Sequence, residues 1–286
     1  MAFDTTRLLS QVNLKGALAT GRFTDQEILD LASDMLISVI APMIVGAREE
    51  YYLVDEDQTV TASQAAYPIP YRALGMAIRE LKVVRGTQIV DLYRMDPEDV
   101  QNTSTGTPEG FYLKGNSVVL YPTPDATGDT LRVTYCIRPS TLVPVTDCAI
   151  ITAISTTTVT CTPPTTWSTA STFDLVQGKS GFSVKGLDLT ASAVNAGSII
   201  LTVAPSSTLA VGDYVALAGE SCLPHIPAEA HQLLVHLTVA ACLESIGDAE
   251  GQARAEATAK RLQDAFTILM TNRVQGAPRR FNSRLL

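Results

Sequence analysis

The sequence predicts an α+β fold: a helical bundle with an antiparallel β-sheet or sandwich, plus an inserted small all-β domain. Three observations carry this. Helical periodicity with cap signals occurs towards both ends of the 286-residue chain. Short alternating strands with hairpin turns fill the stretch from about Thr59 to Ser140, and charge falls away between 148 and 222.

The first helix is expected near Thr24, because Thr24 and Glu27 have the spacing of a capping box. Ile28, Leu31, Ala32, Met35, Leu36 and Val39 then recur at helical spacing, and Pro42 is expected to end or kink the helix. The stretch Glu49 to Asp57 is acidic around Tyr51, Tyr52 and Leu53. Ile78–Val84 and Thr87–Leu92 read as strands flanking an Arg85-Gly86 turn, and Asp96–Asp99 as a turn or a single helical turn. Phe111–Lys114 and Ser117–Tyr121 flank Gly115-Asn116, a hairpin signal, and Leu131–Tyr135 alternates like a half-buried strand.

Residues 148–222 carry 6 charged residues in 75, about 8% against 17% for the chain. From Ser140 to Thr172, Thr and Ser fill 16 of 33 positions, and β-branched Thr suits strands. Asp188–Thr190, Ser198–Val203 and Asp213–Leu217 continue the pattern, with Pro139 and Pro144 before the region and Pro224 and Pro227 after it. We therefore expect an adaptor-like core from 1–147 and 223–286, an inserted β domain at 148–222, and an extended tail at 272–286. Helix returns after Pro227, with Leu233, Leu237, Ala240, Ala241 and Glu244 in period. Gly247-Asp248 reads as a stop and a new N-cap. The next helix is expected to align Leu262, Phe266 and Leu269 on one stripe.

Composition bounds the function. Hydrophobic residues make up 46%, enough for a sizeable core. No apolar run reaches the roughly 18 residues of a membrane span; the richest, Met35–Val45, is shorter and contains Pro42. The N-terminus MAFDTTRLLSQ lacks the layout of a signal peptide, so assembly in a cytoplasm and no membrane partner are expected. The net charge of −8 argues against nucleic acid as a general partner. The last 15 residues differ: Arg273, Arg279, Arg280 and Arg284 come with no acid, leaving 17 basic against 29 acidic residues before them. Phe281, Leu285 and Leu286 add apolar anchors, a pattern that suits folding onto an acidic, pocketed partner.

The search for chemistry finds little. Five scattered cysteines (Cys136, Cys148, Cys161, Cys222, Cys242) form no CxxC pair and read as buried thiols. His231 and His236 are five apart and share no helix face as an i, i+4 metal pair would, and His225 stands apart. Gly178-Lys179-Ser180 resembles the end of a phosphate loop, but Phe173 stands where the loop needs glycine. Asp55 and Asp57 begin like a calcium loop, yet Thr59 and Val60 occupy positions for an acid and the turn glycine. Trp167, the only tryptophan, reads as a core anchor. No catalytic residue, cofactor or metal is expected.

The order of segments carries a resemblance. Tyr67-Pro68-Ile69-Pro70 leads into the Leu81-Lys82-Val83 strand. Gly110-Phe111-Tyr112-Leu113-Lys114-Gly115-Asn116-Ser117-Val118-Val119-Leu120-Tyr121-Pro122-Thr123-Pro124 follows, then Leu131–Tyr135 and Arg138-Pro139-Ser140-Thr141-Leu142-Val143. Ile226-Pro227-Ala228-Glu229-Ala230-His231 closes the series, heading a helix that runs to Gly247-Asp248. This arrangement is similar to the head-to-tail adaptor (connector) proteins of tailed bacteriophages, over about 20–147 and 223–286, with 148–222 as an interruption. The resemblance implies a non-enzymatic virion protein at the head–tail interface. It implies a homo-oligomeric ring of about twelve copies matched to the portal, with a tail or nozzle protein below and DNA passing through without sequence-specific binding. It also implies that C-terminal tails reach into portal crevices, which here assigns portal contact to Arg273, Arg279, Arg280, Phe281, Arg284, Leu285 and Leu286. Another tail or nozzle structural protein is the alternative, followed by a carbohydrate-binding or hydrolytic virion protein.

Overall fold

The computed structural model describes residues 3–19, 21–100 and 104–271. Among the described residues five α-helices occur: α1 Thr5–Gly16, α2 Asp25–Met35, α3 Ala41–Ala47, α4 His231–Ile246 and α5 Ala249–Thr271. The strands before residue 143 are β1 Leu53–Thr59, β2 Ala66–Pro68, β3 Ala73–Arg85, β4 Gln88–Asp91, β5 Tyr93–Arg94, β6 Thr105–Gly106, β7 Gly110–Lys114, β8 Ser117–Tyr121, β9 Thr123–Pro124, β10 Thr130–Ile137 and β11 Thr141–Leu142. Those that follow are β12 Ala149–Ile150, β13 Ala153–Ser155, β14 Thr158–Thr160, β15 Thr172–Val176, β16 Gly186–Asn195, β17 Ser198–Leu201, β18 Tyr214–Leu217 and β19 Glu220–Ser221. The fold is α+β, as the sequence predicts.

Local chemistry explains the helix ends. The Thr24 hydroxyl accepts from the Glu27 amide at 3.2 Å, and the Glu27 carboxylate accepts from the Thr24 amide at 2.7 Å, a complete capping box. Those hydrogen bonds hold the Glu27 carboxyl below its usual range. Gly247 adopts φ +77 and closes α4, and Asp248 then accepts from the Gly251 amide at 2.9 Å to start α5.

Two expectations about the first helices need correction. Pro42 does not end the helix: a π-helical segment, Leu36–Ile40, carries the chain into α3, and the wider turn just before Pro42 accommodates its ring and missing N–H. The joined helix Asp25–Ala47 spans 23 residues, so by length and composition it is long and apolar enough to cross a membrane, whereas the apolar run alone had looked too short. In the fold its Ile28, Leu29, Ala32, Leu36, Ile40, Ala41 and Ile44 are buried. α1 is an element the periodicity missed; Asp4 caps it by accepting from the Arg7 amide at 2.9 Å, and Leu8 and Val12 are buried.

The first sheet runs β1-β10-β3-β4, antiparallel throughout, and a smaller sheet runs β2-β8-β7-β5. β10 alternates without a break, burying Leu131, Val133, Tyr135 and Ile137. Those residues, with Leu81 and Val83 of β3, share one core with all five helices. α4 lies inside it, packed against α1, α2 and α5, and buries residues on every side. In α5 the buried stripe is Ala255, Ala259, Phe266 and Met270; Leu269, expected on it, is 60% exposed.

A third sheet, of seven strands in the order β12-β18-β15-β16-β17-β14-β13, is built from residues 149–217. It has its own apolar cluster, in which Trp167 packs on Phe173 with ring centroids 5.2 Å apart. The β11–β19 pair ties the chain leading into this sheet to the chain leaving it.

Candidate functional site

The residues expected to touch a partner, Arg273, Arg279, Arg280, Phe281, Arg284, Leu285 and Leu286, lie outside the described residues. What the structure gives is the root from which they start. The Arg48 guanidinium, at the end of α3, donates from Nε to the Met270 carbonyl at 2.8 Å and from Nη2 to the Leu269 carbonyl at 3.4 Å. Met270 is buried, whereas Ile268 and Leu269 are exposed beside it. Arg48 therefore holds α5 at Leu269 and Met270, with apolar side chains exposed beside the contact.

The third sheet is fastened to the rest by buried polar groups. Arg72, just before β3, meets Asp174 of β15 with Nη2 to Oδ2 at 2.8 Å, and both side chains are buried. Asp174 also accepts from the Asp188 and Gly219 amides at 2.9 and 3.0 Å, so its remaining lone pairs are used. A second fastening is aromatic. Phe182 lies edge-on to Tyr52 at 5.4 Å, and the Tyr52 hydroxyl donates to the His225 carbonyl at 2.7 Å.

Between β1 and the third sheet lies an open cleft of about 630 Å3, whose lining includes Asp55, Glu56, Asp57, Tyr71, Tyr135 and Asp188. Its acids are not free. Asp57 accepts from Arg132 Nε and Nη2, both at 2.8 Å, and these bonds hold its carboxyl below the usual range. Tyr71 donates to Asp188 at 2.7 Å, and Thr134 to Asp55 at 2.6 Å. The calcium-like spacing of Asp55 and Asp57 thus falls on a strand, in a hydrogen-bonded acidic face.

The other sequence candidates resolve into packing. Among the described residues, no group of three His, Cys, Asp or Glu is arranged to hold a metal ion. Burial lowers His225 and His231 to about 4. His231 stacks on Phe3 with centroids 4.1 Å apart, and His236 lies 3.2 Å from Lys15 Nζ. Ser221 Oγ and His225 Nε2 come within 3.4 Å, a serine–histidine contact the sequence did not suggest. The serine hydroxyl instead serves its neighbour, donating to the Leu223 carbonyl at 2.7 Å and accepting from the Leu223 amide at 3.0 Å. With the hydroxyl so engaged and the ring beside Phe182, the contact is structural. Gly178 is a glycine because a Cβ there would overlap the Gly212 carbonyl oxygen, and its amide donates to Asp213 at 2.8 Å. The spacing needed for phosphate is absent and the backbone reason is on view.

Fold and site together describe an α+β protein with charged surfaces and a helix, α5, held by Arg48. The chain belongs to the SU10 adaptor protein family, whose match covers residues 6–163, more than half of the chain, and ends just beyond β14. No curated protein matches it. The family points to a phage adaptor, a structural component of the virion that meets portal and tail proteins.

Proposed function

We propose that this protein is a head-to-tail adaptor, one subunit of a ring of about twelve copies docked beneath the portal. The family membership carries this reading. The C-terminal segment 272–286 is its portal-binding element. Arg273, Arg279, Arg280 and Arg284 suit bidentate contacts to carboxylates, and Phe281, Leu285 and Leu286 suit apolar pockets. Arg48 supports this role by holding α5 at Leu269 and Met270, shortly before that segment in the chain. Many weak segments acting from one ring reinforce each other through effective concentration.

In this reading residues 1–147 and 223–271 form the adaptor core. Residues 148–222 are an inserted β domain on its outside. The acidic balance of the chain favours a lumen that repels DNA phosphates, so that the genome slides through. The protein is non-enzymatic, is assembled in the host cytoplasm, and hands the channel on to a tail or nozzle protein.

Deleting residues 273–286 tests the docking role. The shortened protein is expected to keep its melting temperature and to lose co-sedimentation with portal rings. Full-strength co-sedimentation would remove the tail from the mechanism. A symmetry count by electron microscopy of purified particles tests the ring.

A further inference from the structure

The two cysteines at the borders of the third sheet meet in space. Cys148 immediately precedes β12, and Cys222 immediately follows β19. Strand pairing brings these ends together: Ala149 lies opposite Val215, Leu142 opposite Ser221, and the Val143 amide donates to the Ser221 carbonyl at 3.0 Å. Both cysteines are buried, Cys222 completely, in one small cluster with Val143, Val176, Ala216 and Leu223. The Cys222 thiol beside it, together with burial, pushes the Cys148 thiol up. Tyr214 lies near enough to both that each adds to the rise of its phenol. The Cys222 carbonyl also accepts from the Thr5 amide at 2.9 Å, so the start of α1 rests on the same spot. The other three cysteines sit elsewhere. Cys136 donates to the Glu49 carbonyl, Cys161 is in the third sheet's cluster, and Cys242 is in α4.

We propose that Cys148 and Cys222 form a disulfide site at the neck of the third sheet, reduced while the chain is made and oxidised once the particle leaves its host. The timing rests on the virion reading; the bond itself does not. Two S–H bonds break and one S–S bond forms. The two electrons and two protons pass to a low-molecular-weight disulfide, which leaves as two thiols, or to dissolved oxygen, which becomes peroxide. With the Cys148 thiol pushed up and both sulfurs buried, oxidation is slow and waits on local opening. The bond closes a 75-residue loop, a length at which cross-linking restricts the unfolded chain strongly. It also clamps the chain on both sides of the third sheet at its junction with the core.

The test uses the purified full-length protein, incubated with oxidised or reduced glutathione, then unfolded and alkylated. Mass spectrometry is expected to count five alkylated thiols after reduction and three after oxidation. Peptide mapping is expected to join Cys148 to Cys222, and the melting temperature of the oxidised protein to rise by about 5 °C or more. Cys136→Ala keeps both effects, and Cys148→Ala loses both. Five alkylated thiols after prolonged oxidation, or a bond between any other pair, would overturn the proposal. Either result leaves portal docking untouched, because no portal takes part in the measurement.

Discussion

Arg72 and Asp174, 102 residues apart in sequence, form a buried two-pronged ion pair, with Nη1 to Oδ1 at 2.9 Å and Nη2 to Oδ2 at 2.8 Å. Asp188 lies 3.5 Å from the same guanidinium, and Ser140 accepts from it at 3.4 Å. Arginine belongs to the first part of the chain and aspartate to the third sheet, so the pair fixes one against the other.

Breaking that pair strands a charge inside the protein. Asp174→Ala removes the partner of a buried guanidinium and the acceptor of two backbone amides. A loss of about 3–5 kcal/mol is expected in urea unfolding. A loss below about 1 kcal/mol would mean that water reaches the site.

Stability is expected to fall as pH drops from about 6.5 towards 4. His225 and His231 are held neutral in the folded protein down to about 4. In the unfolded chain each takes up its proton near the ordinary value. Between those values the unfolded state binds more protons, so acid favours unfolding, by up to about 1.4 kcal/mol per pH unit for each histidine. The Nε2 of His231 is buried without a partner. His231→Phe should therefore flatten the stability profile over this window, as measured by denaturant midpoints at several pH values. An unchanged slope would remove His231 as a cause.

Gly178→Ala is expected to cost about 1–3 kcal/mol, because the new Cβ must displace the Gly212 carbonyl. Lys179→Ala should stay within about 0.5 kcal/mol. Inorganic phosphate should not raise the melting temperature of either protein. A phosphate-dependent rise lost in Lys179→Ala would restore the phosphate-loop reading.

Arg48→Ala leaves the Leu269 and Met270 carbonyls of α5 without their cation. Hydrogen exchange is expected to quicken in residues 265–271, with a global loss of about 1 kcal/mol. If the C-terminal segment docks as proposed, portal co-sedimentation should weaken with it, since the chain just before the segment is then held less firmly. Unchanged exchange in that stretch would show that Met270 burial alone holds the end.

The parts legible in the sequence are those written in local chemistry. Thr24 and Glu27 announce a helix start, Gly115-Asn116 a hairpin, Gly247-Asp248 a boundary, and the alternation of β10 a half-buried strand. Where one residue faces different surroundings along its element, the pattern fails. α4 buries residues around most of its circumference, so the period that announces it does not pick out its buried face: Leu233 and Ala240 are buried, Leu237 and Ala241 half-buried, and Glu244 exposed. α1 buries only Thr5, Leu8 and Val12, too few to reveal a period. Leu269 satisfies the helical spacing yet faces outward, because Arg48 and the core meet α5 at Met270. Arg72 and Asp174 carry no signal at all, since a pair this distant is made by topology. Cys148 and Cys222 looked like two scattered thiols for the same reason.

The enclosed position of α4 bears on how the molecule comes off the ribosome. The helix that fills the centre is made from residues 231–246, so α1 and α2 emerge long before their main partner and wait with Leu8, Ile28, Leu29 and Leu36 uncovered. The third sheet has no such delay: its seven strands lie within residues 149–217 and satisfy one another. Synthesis thus favours an order in which the third sheet condenses without waiting for a later segment, while α1 and α2 close only once α4 is made. During that interval a chaperone has its clearest target at the amino-terminal end.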